Sequence, residues 1–583
     1  MNREQQYRLF LIIGLILIIF PVTLQILVDI EMRNHETITF VDDYGNKIFN
    51  TYYPGESETI PGNKAHGIMI FHGMGNDQKS LDVYTARFHA FGFHVFTTDF
   101  SGHGRSSGVI PSGENSADIL ANQVLIAKSK FKEKSGLADS EIFMLGHSMG
   151  ARAVMRATLL DTNPVNGCIL IGAAIHIGEN ETSWTANLNS TNPKTNVLLL
   201  SGALEDVLPP TEAIDLYNHL ANTTVKNSKT AYIDHVTPEN YTKSLRILPC
   251  LTHTHEAMSG RAVALAYNWV ADMILNTKFI PDFIRSNVLD PVLSIFDVRY
   301  LISISEVIGI FLCLIFGQKI IKELQEKQLI RKTEDNQDEL EEERAEDEIS
   351  GPFNLKKFYW FKLLIWVGGF DFAAAIVTLI AIMPFGVPYF TLLFIGPITG
   401  YGIMNIILYL TGKTPGYNKK WRPEFKNQFK DYNWWKLVFG IFVAALFAAV
   451  VAYLLSGFLY LVFPPNIRLA WLAIFTLFGS LGFYILQIET KELRNTYPNN
   501  AKYTSINYAL FLLPFIIGVL VILAMGRIIY IVDGVHDLIL LGSIILVGDL
   551  LQQIWEKPYW TGLVQSFLLF FFLLPRGQMA IIF

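Results

Sequence analysis

The run Ile142-Phe143-Met144-Leu145-Gly146-His147-Ser148-Met149-Gly150-Ala151-Arg152-Ala153-Val154-Met155-Arg156 reads as strand, turn and helix in immediate succession. The four leading apolar residues suit a buried strand. The Gly-His-Ser-Met-Gly turn places small residues on both sides of Ser148, where side chains would collide. Such a sharp turn lifts the serine Oγ clear of the fold. It also aims the backbone N–H of Met149, at the start of a helix, toward developing negative charge. A bare G-x-S-x-G arises by chance; set between a strand and a helix it is far more specific.

Four other segments support this turn. Ile68-Met69-Ile70-Phe71-His72-Gly73-Met74-Gly75 is a strand that ends in small residues. There the N–H of Met74 can approach an oxyanion, with His72, Gly73 and His147 expected beside the substrate. Asp99-Phe100-Ser101-Gly102-His103-Gly104-Arg105-Ser106 is a glycine-rich strand exit, with His103 given a structural role in the turn. The strand Val197-Leu198-Leu199-Leu200-Ser201 runs into Gly202-Ala203-Leu204-Glu205-Asp206. Either acid can orient an imidazole, and Glu205 is slightly favoured. Leu251-Thr252-His253-Thr254-His255-Glu256 offers the general base. His253 is the first choice because it comes first after the strand, and His255 is the alternative. The chain order serine, acid, histidine suits a triad built on such a strand-to-helix turn. A zinc site made from His253, His255 and Glu256 is the rival chemistry, and it lacks a second ligand cluster nearby in sequence. No cofactor or metal is expected.

These motifs carry a resemblance. Residues 36–280 resemble the α/β-hydrolase superfamily, nearest to its monoglyceride-lipase, lysophospholipase and serine-aminopeptidase-like branch. The resemblance rests on His72-Gly73-Met74-Gly75, Gly102-His103-Gly104-Arg105-Ser106 and Gly146-His147-Ser148-Met149-Gly150. It implies a mostly parallel sheet with helices on both faces and a Ser-His-acid hydrolase. The branch usually has a second glycine after the serine turn, where this chain has Ala151. It also usually has a large helical lid, for which only residues 173–195 are available. A short lid implies an open site, more like a small carboxylesterase, and weakens the case for a long-chain lipid preference.

The rest of the chain is of another kind. Across 583 residues, 51% are hydrophobic and only 17% charged, and the mean hydropathy is +0.32. Those values fit a membrane protein that carries a soluble domain. A net charge of −6 gives no reason to propose nucleic-acid binding. Three cysteines suggest neither a disulfide framework nor a metal site. Cys168 is read as a buried small hydrophobe rather than as the partner of Cys250. Residues 10–28 are apolar and follow Arg3 and Arg8, with no small-x-small cleavage site behind them. They read as an uncleaved anchor with a cytoplasmic N-terminus.

Apolar runs near 300–317, 360–383, 389–411, 437–463, 469–488, 506–526, 536–552 and 560–575 match the length needed to span a bilayer. The basic segments 319–332, 413–430 and 491–502 fall on one side of that pattern, the cytoplasmic side if the N-terminus is inside. The hydrolase segment then lies outside the cytoplasm. Sequons at Asn180, Asn189, Asn222 and Asn240 suit export but are common by chance.

The expected organisation is an anchor (1–29), an extracytoplasmic α/β-hydrolase domain (30–290), a span (291–322), an acidic linker (323–355) and an all-α multi-span domain (356–583). Glu306, Asp371, Asp533, His536, Asp537 and Asp549 are its intramembrane functional candidates. The expected partners are a small-molecule or lipid ester and the bilayer. The expected activity is serine esterase. A peptidase of the same fold, or a transporter or sensor whose outer domain only binds ligand, are the alternatives.

Overall fold

The computed structural model describes residues 3–32, 34–58, 64–177, 184–205, 207–226, 231–249, 251–257, 259–275, 299–335, 354–381, 387–388, 391–411, 428, 433–456, 466–497, 501–524, 528–574 and 579–580. The hydrolase segment begins with a hairpin, β1 (Glu36–Val41) and β2 (Lys47–Tyr53). Its turn closes through Asp42, whose carboxylate accepts the N–H groups of Tyr44 and Asn46 at 3.0 and 2.8 Å. Gly45 supplies the positive φ of 80° that the turn demands.

Seven more strands follow: β3 (Gly67–Phe71), β4 (His94–Asp99), β5 (Ile142–His147), β6 (Gly167–Ile171), β7 (Asn196–Gly202), β8 (Ala231–Val236) and β9 (Thr242–Leu248). The helices between them are α2 (Asp82–Ala90), α3 (Ser116–Ser135), α4 (Met149–Leu160), α5 (Pro210–Ala221), the single turn α6 (His253–Glu256) and α7 (Gly260–Leu275).

The strands form one sheet in the order β1-β2-β4-β3-β5-β6-β7-β9-β8. From β4 to β9 all neighbours are parallel; β1, β2 and β8 are antiparallel. β3, β5 and β6 are buried along their whole length because helices cover both faces. On one face Val124, Val154 and Leu216 pack with Met144 and Leu170. On the other, Val83, Tyr84, Val263 and Val270 pack with Ile68 and Ile169. This is the α/β-hydrolase fold that the sequence implies.

Two strands depart from the sequence reading. β8 was not expected, because Ala231-Tyr232-Ile233-Asp234-His235-Val236 interleaves polar residues. As an edge strand it buries only alternate positions. The strand that leads toward His253 covers Thr242–Leu248. Its polar start hid it: the Lys243 ammonium is buried on the carbonyls of Pro193 and Thr195 at 3.0 and 2.8 Å. Ser244 accepts the indole N–H of Trp269 at 3.0 Å. Cys168 is a buried free thiol against Thr158, and Cys250 lies outside the described residues.

In the helical half, five helices among the described residues are long and apolar enough to cross a membrane: Arg3–Thr23, Trp434–Val451, Leu469–Thr496, Ala501–Val521 and Asp537–Trp555. Shorter apolar helices occupy Leu392–Leu408 and Pro558–Leu573. Further helices, Arg299–Asp335 and Leu355–Ala381, cover two more of the expected spans. The N-terminal helix α1 (Arg3–Glu31) packs on Arg299–Asp335 at small residues. A Cβ on Gly14 would meet Cys313 Sγ at 2.9 Å and the Gly309 carbonyl at 3.0 Å. Phe10 stacks on Phe316 with ring centroids 4.7 Å apart. The boundary expected at 290 lies outside the described residues, whereas the helix Arg299–Asp335 runs on past the one expected at 322 and Leu355–Ala381 begins at the one expected at 355.

Candidate active site

The serine turn follows from local sterics. Ser148 sits at φ 54°, ψ −116°, a backbone region that a side chain seldom adopts. It is held there by its N–H, which donates to the Ile171 carbonyl at 2.8 Å. Glycine is required on both sides. A Cβ on Gly146 would fall 2.4 Å from the Gly150 carbonyl oxygen, and one on Gly150 would fall 2.4 Å from that of Phe71. Ser148 is half-buried, and Met149 opens α4 from a buried position.

The loop after β3 passes directly over the turn. A Cβ on Gly73 would lie 3.0 Å from His147 Nδ1 and 3.1 Å from Ser148 Cβ. Gly75 donates its N–H to His103 Nε2 at 3.2 Å, and Asn76 donates to the Gly73 carbonyl at 3.3 Å. His103 therefore pins this loop to the Gly102-His103-Gly104 turn. Met74 is exposed at the tip.

The acid and the histidine meet across the ends of β7 and β9. Glu205 is buried, and its Oε1 accepts the N–H groups of Val207 and Leu208, both at 2.9 Å. Its Oε2 lies 2.7 Å from His253 Nδ1. With Nδ1 donating, Nε2 is the basic nitrogen of His253. Asp206 lies outside the described residues, as does the side chain of His255. The described part of the segment before β7 packs down: Trp184 is buried under the Arg156 guanidinium, and the Leu188 carbonyl is held by His219.

Two histidines expected beside the substrate take other places. His72 is fully buried, with Nδ1 donating to the Gly73 carbonyl at 2.8 Å and Nε2 accepting the Phe100 N–H at 3.1 Å. Both ring nitrogens are spent on tying the exits of β3 and β4 together, so none is left for a substrate. Burial lowers its pKa, which keeps it neutral. His147 is also buried, its ring 4.7 Å from that of His253 and its Nε2 3.1 Å from the His253 carbonyl. Burial first, then the neighbouring His253, push it down to about 3. It buttresses His253 from behind.

The sequence reading gave Glu256 only the part of a metal ligand. It is fully buried and its Oε1 accepts the Gly202 N–H. Donor atoms of His147, His253 and Glu256 lie within 4.8 Å of one another. One nitrogen of each ring is already engaged, His253 Nδ1 by Glu205 and His147 Nε2 by a carbonyl.

The intramembrane candidates divide. Asp549 is buried and bound by Arg494 and, at 2.6 Å, by the Tyr508 hydroxyl. Glu306 and Asp537 are buried. The side chains of Asp371, Asp533 and His536 lie outside the described residues. A further buried pair joins two of these helices: Lys362 Nζ lies 2.6 Å from Glu489 Oε2, and Glu489 Oε1 accepts the Tyr401 hydroxyl at 2.6 Å.

Strand order and the sharp strand-to-helix turn at the end of β5 are those of the α/β-hydrolase fold. Residues 62–196 match the hydrolase family model described as serine aminopeptidase, S33. A monoglyceride lipase homolog from monkeypox virus is 29% identical over 113 residues, which is 19% of this chain and 38% of the viral protein. The chain thus spans well under half the length of that curated relative. Among solved structures, the esterase RhEst1 from Rhodococcus sp. ECU1013 is 15% identical, with 41% of this chain and 99% of that one covered at a TM-score of 0.30. A thermophilic esterase from Thermogutta terrifontis is 12% identical, covering 41% and 99% at a TM-score of 0.31.

Proposed function

We propose that the hydrolase domain is a serine esterase and that the helical half holds it in a bilayer. The observation that carries this reading is the 2.7 Å contact between Glu205 Oε2 and His253 Nδ1, two strand ends away from a serine held at positive φ. Ser148 Oγ attacks the acyl carbon while His253 Nε2 takes its proton. The N–H groups of Met149 and Met74 stabilise the oxyanion. The imidazolium, steadied by Glu205, returns the proton to the leaving alcohol. Water then repeats the sequence on the acyl-enzyme and releases the acid.

Acyl lipids are favoured substrates because the apolar helices keep the domain near a membrane and a viral relative is described as a monoglyceride lipase homolog. The description of the matched family supports a second reading, an aminopeptidase. The basic segments support a cytoplasmic N-terminus and a hydrolase domain outside the cytoplasm.

The test is a fluorophosphonate probe on membranes that contain the full chain. Wild type is labelled and Ser148→Ala is not; an unlabelled, well-folded wild type overturns the reading. Hydrolysis of p-nitrophenyl esters but not of aminoacyl p-nitroanilides separates esterase from peptidase.

A further inference from the structure

Behind the Glu205–His253 pair lies a second carboxyl group for which the mechanism above has no use. Glu256 closes the single turn α6, three residues after His253, and its side chain is fully buried. Its Oε1 takes the Gly202 N–H, and its main-chain carbonyl takes the Tyr84 hydroxyl at 2.8 Å. The other oxygen, Oε2, stands 3.9 Å from His253 Nδ1 and receives no hydrogen bond.

Ionised, this group would be a buried anion with a single N–H to stabilise it, beside another carboxylate. Glu205 is already committed: its two oxygens accept three N–H groups, from Val207, Leu208 and His253. Two adjacent carboxylates cannot both keep a full charge at such a site. An orphaned oxygen facing an acceptor is where a carboxylic acid carries its proton. Besides Glu205, the titratable groups that face Glu256 are His253 on its own turn, His147 from the end of β5 and Tyr84 from α2. From the end of β6 Gly172 approaches so close that a Cβ there would lie 2.4 Å from Oε2. None of these brings a fixed positive charge.

We propose that Glu256 works as a neutral carboxylic acid, a positioning residue whose Oε2–H donates to the Glu205 carboxylate and so fixes the acid that orients His253. This rests on the serine-hydrolase reading. Burial, then the Glu205 charge, push the Glu256 carboxyl well above the usual range. The consequence is specific. A second anion 3.9 Å from Nδ1 would favour imidazolium, which cannot take the serine proton. A neutral acid leaves a single negative charge behind the histidine.

The experiment uses the full chain in detergent micelles. Infrared difference spectra, wild type minus Glu256→Gln at neutral pH, are expected to show the C=O stretch of a protonated carboxyl. Absence of that band overturns the proposal, whether or not any ester is hydrolysed. On p-nitrophenyl butyrate, Glu256→Gln is expected to lower kcat by about 3- to 10-fold and to leave the acid limb of kcat/KM in place. Glu256→Ala, which has no polar group there, is expected to lose about 10- to 100-fold in kcat with little change in KM. If Glu256 were ionised, removing its charge would move the acid limb down by about one unit or more, and that shift also overturns the proposal. Loss of all activity in wild type with the band intact would refute the esterase reading alone.

Discussion

Glu205 Oε2 accepts the Nδ1 proton of His253 at 2.7 Å while Oε1 accepts two backbone N–H groups at 2.9 Å. The carboxylate is thus held by its own loop before it meets the imidazole. Glu205→Gln keeps an oxygen for Val207 and Leu208 but turns an amide N–H toward Nδ1, which enforces the wrong tautomer. We expect kcat for ester hydrolysis to fall by about 10³- to 10⁴-fold with little change in thermal stability. A loss below tenfold would remove Glu205 from the mechanism.

Gly73 separates the steric demands of the site from those of the fold. A methyl group there meets His147 Nδ1 and Ser148 Cβ, both tight contacts, whereas one on Gly150 meets the carbonyl oxygens of Phe71 and His72. Gly150→Ala should destabilise the domain by about 2–3 kcal/mol, seen as a lower melting temperature. Gly73→Ala should reduce activity more than tenfold with a much smaller thermal effect, because only the loop over the serine has to give way. Equal melting temperatures for the two variants would contradict this division.

His147 makes acid stability predictable. Its folded pKa is about 3 against an ordinary value of 6.5. Between those values the unfolded chain binds a proton that the folded domain refuses, so stability falls as pH falls. The contribution is fully present above about pH 6.5 and amounts to about 3 kcal/mol of loss by pH 4. His72, lowered by burial in the same sense, adds to it. Melting temperatures recorded between pH 7 and pH 4 should fall less steeply in His147→Gln than in wild type. Parallel slopes would mean that His147 is not buried as a neutral imidazole.

In the helical half, Lys362 and Glu489 are both buried and share one ion pair of 2.6 Å. Removing one partner strands the other charge, at a cost of about 3–5 kcal/mol, whereas removing both can be nearly neutral. Thermal unfolding in detergent should therefore show Lys362→Met and Glu489→Gln each less stable than the double variant. A double variant as unstable as the sum of the singles would show that the two side chains act separately.

The sequence was informative where the chemistry is local. Glycine spacing and the strand exits around Ser148 depend on short-range sterics. It was weaker where tertiary partners decide. His72 looks like a site residue until Phe100 and Gly73 claim its nitrogens. Lys243 breaks an apolar pattern because its partners lie some fifty residues back in the chain. Lys362 and Glu489 fall at the margins of two apolar runs, 127 residues apart in the chain. Only the tertiary fold brings them within 2.6 Å and buries both. Glu256 carries no signal by itself, since its interest depends on Glu205 being next to it.

The sheet order also sets the timetable on which the molecule can come into being. The centre of the sheet pairs β3 with β5, Gly67 opposite Ile142, and β4 must already lie on the far side of β3. The last parallel strand ends at Leu248, and His253 lies just beyond it. Pairing over such long stretches of chain is slow, because loop closure precedes any reward from contact. On the proposed mechanism, a chain emerging N-terminus first would hold Ser148 for a long interval before Glu205 and then His253 arrive. Ser148 would then stay inert until the domain is almost completely threaded, and catalytic competence would be a late reporter of finished folding.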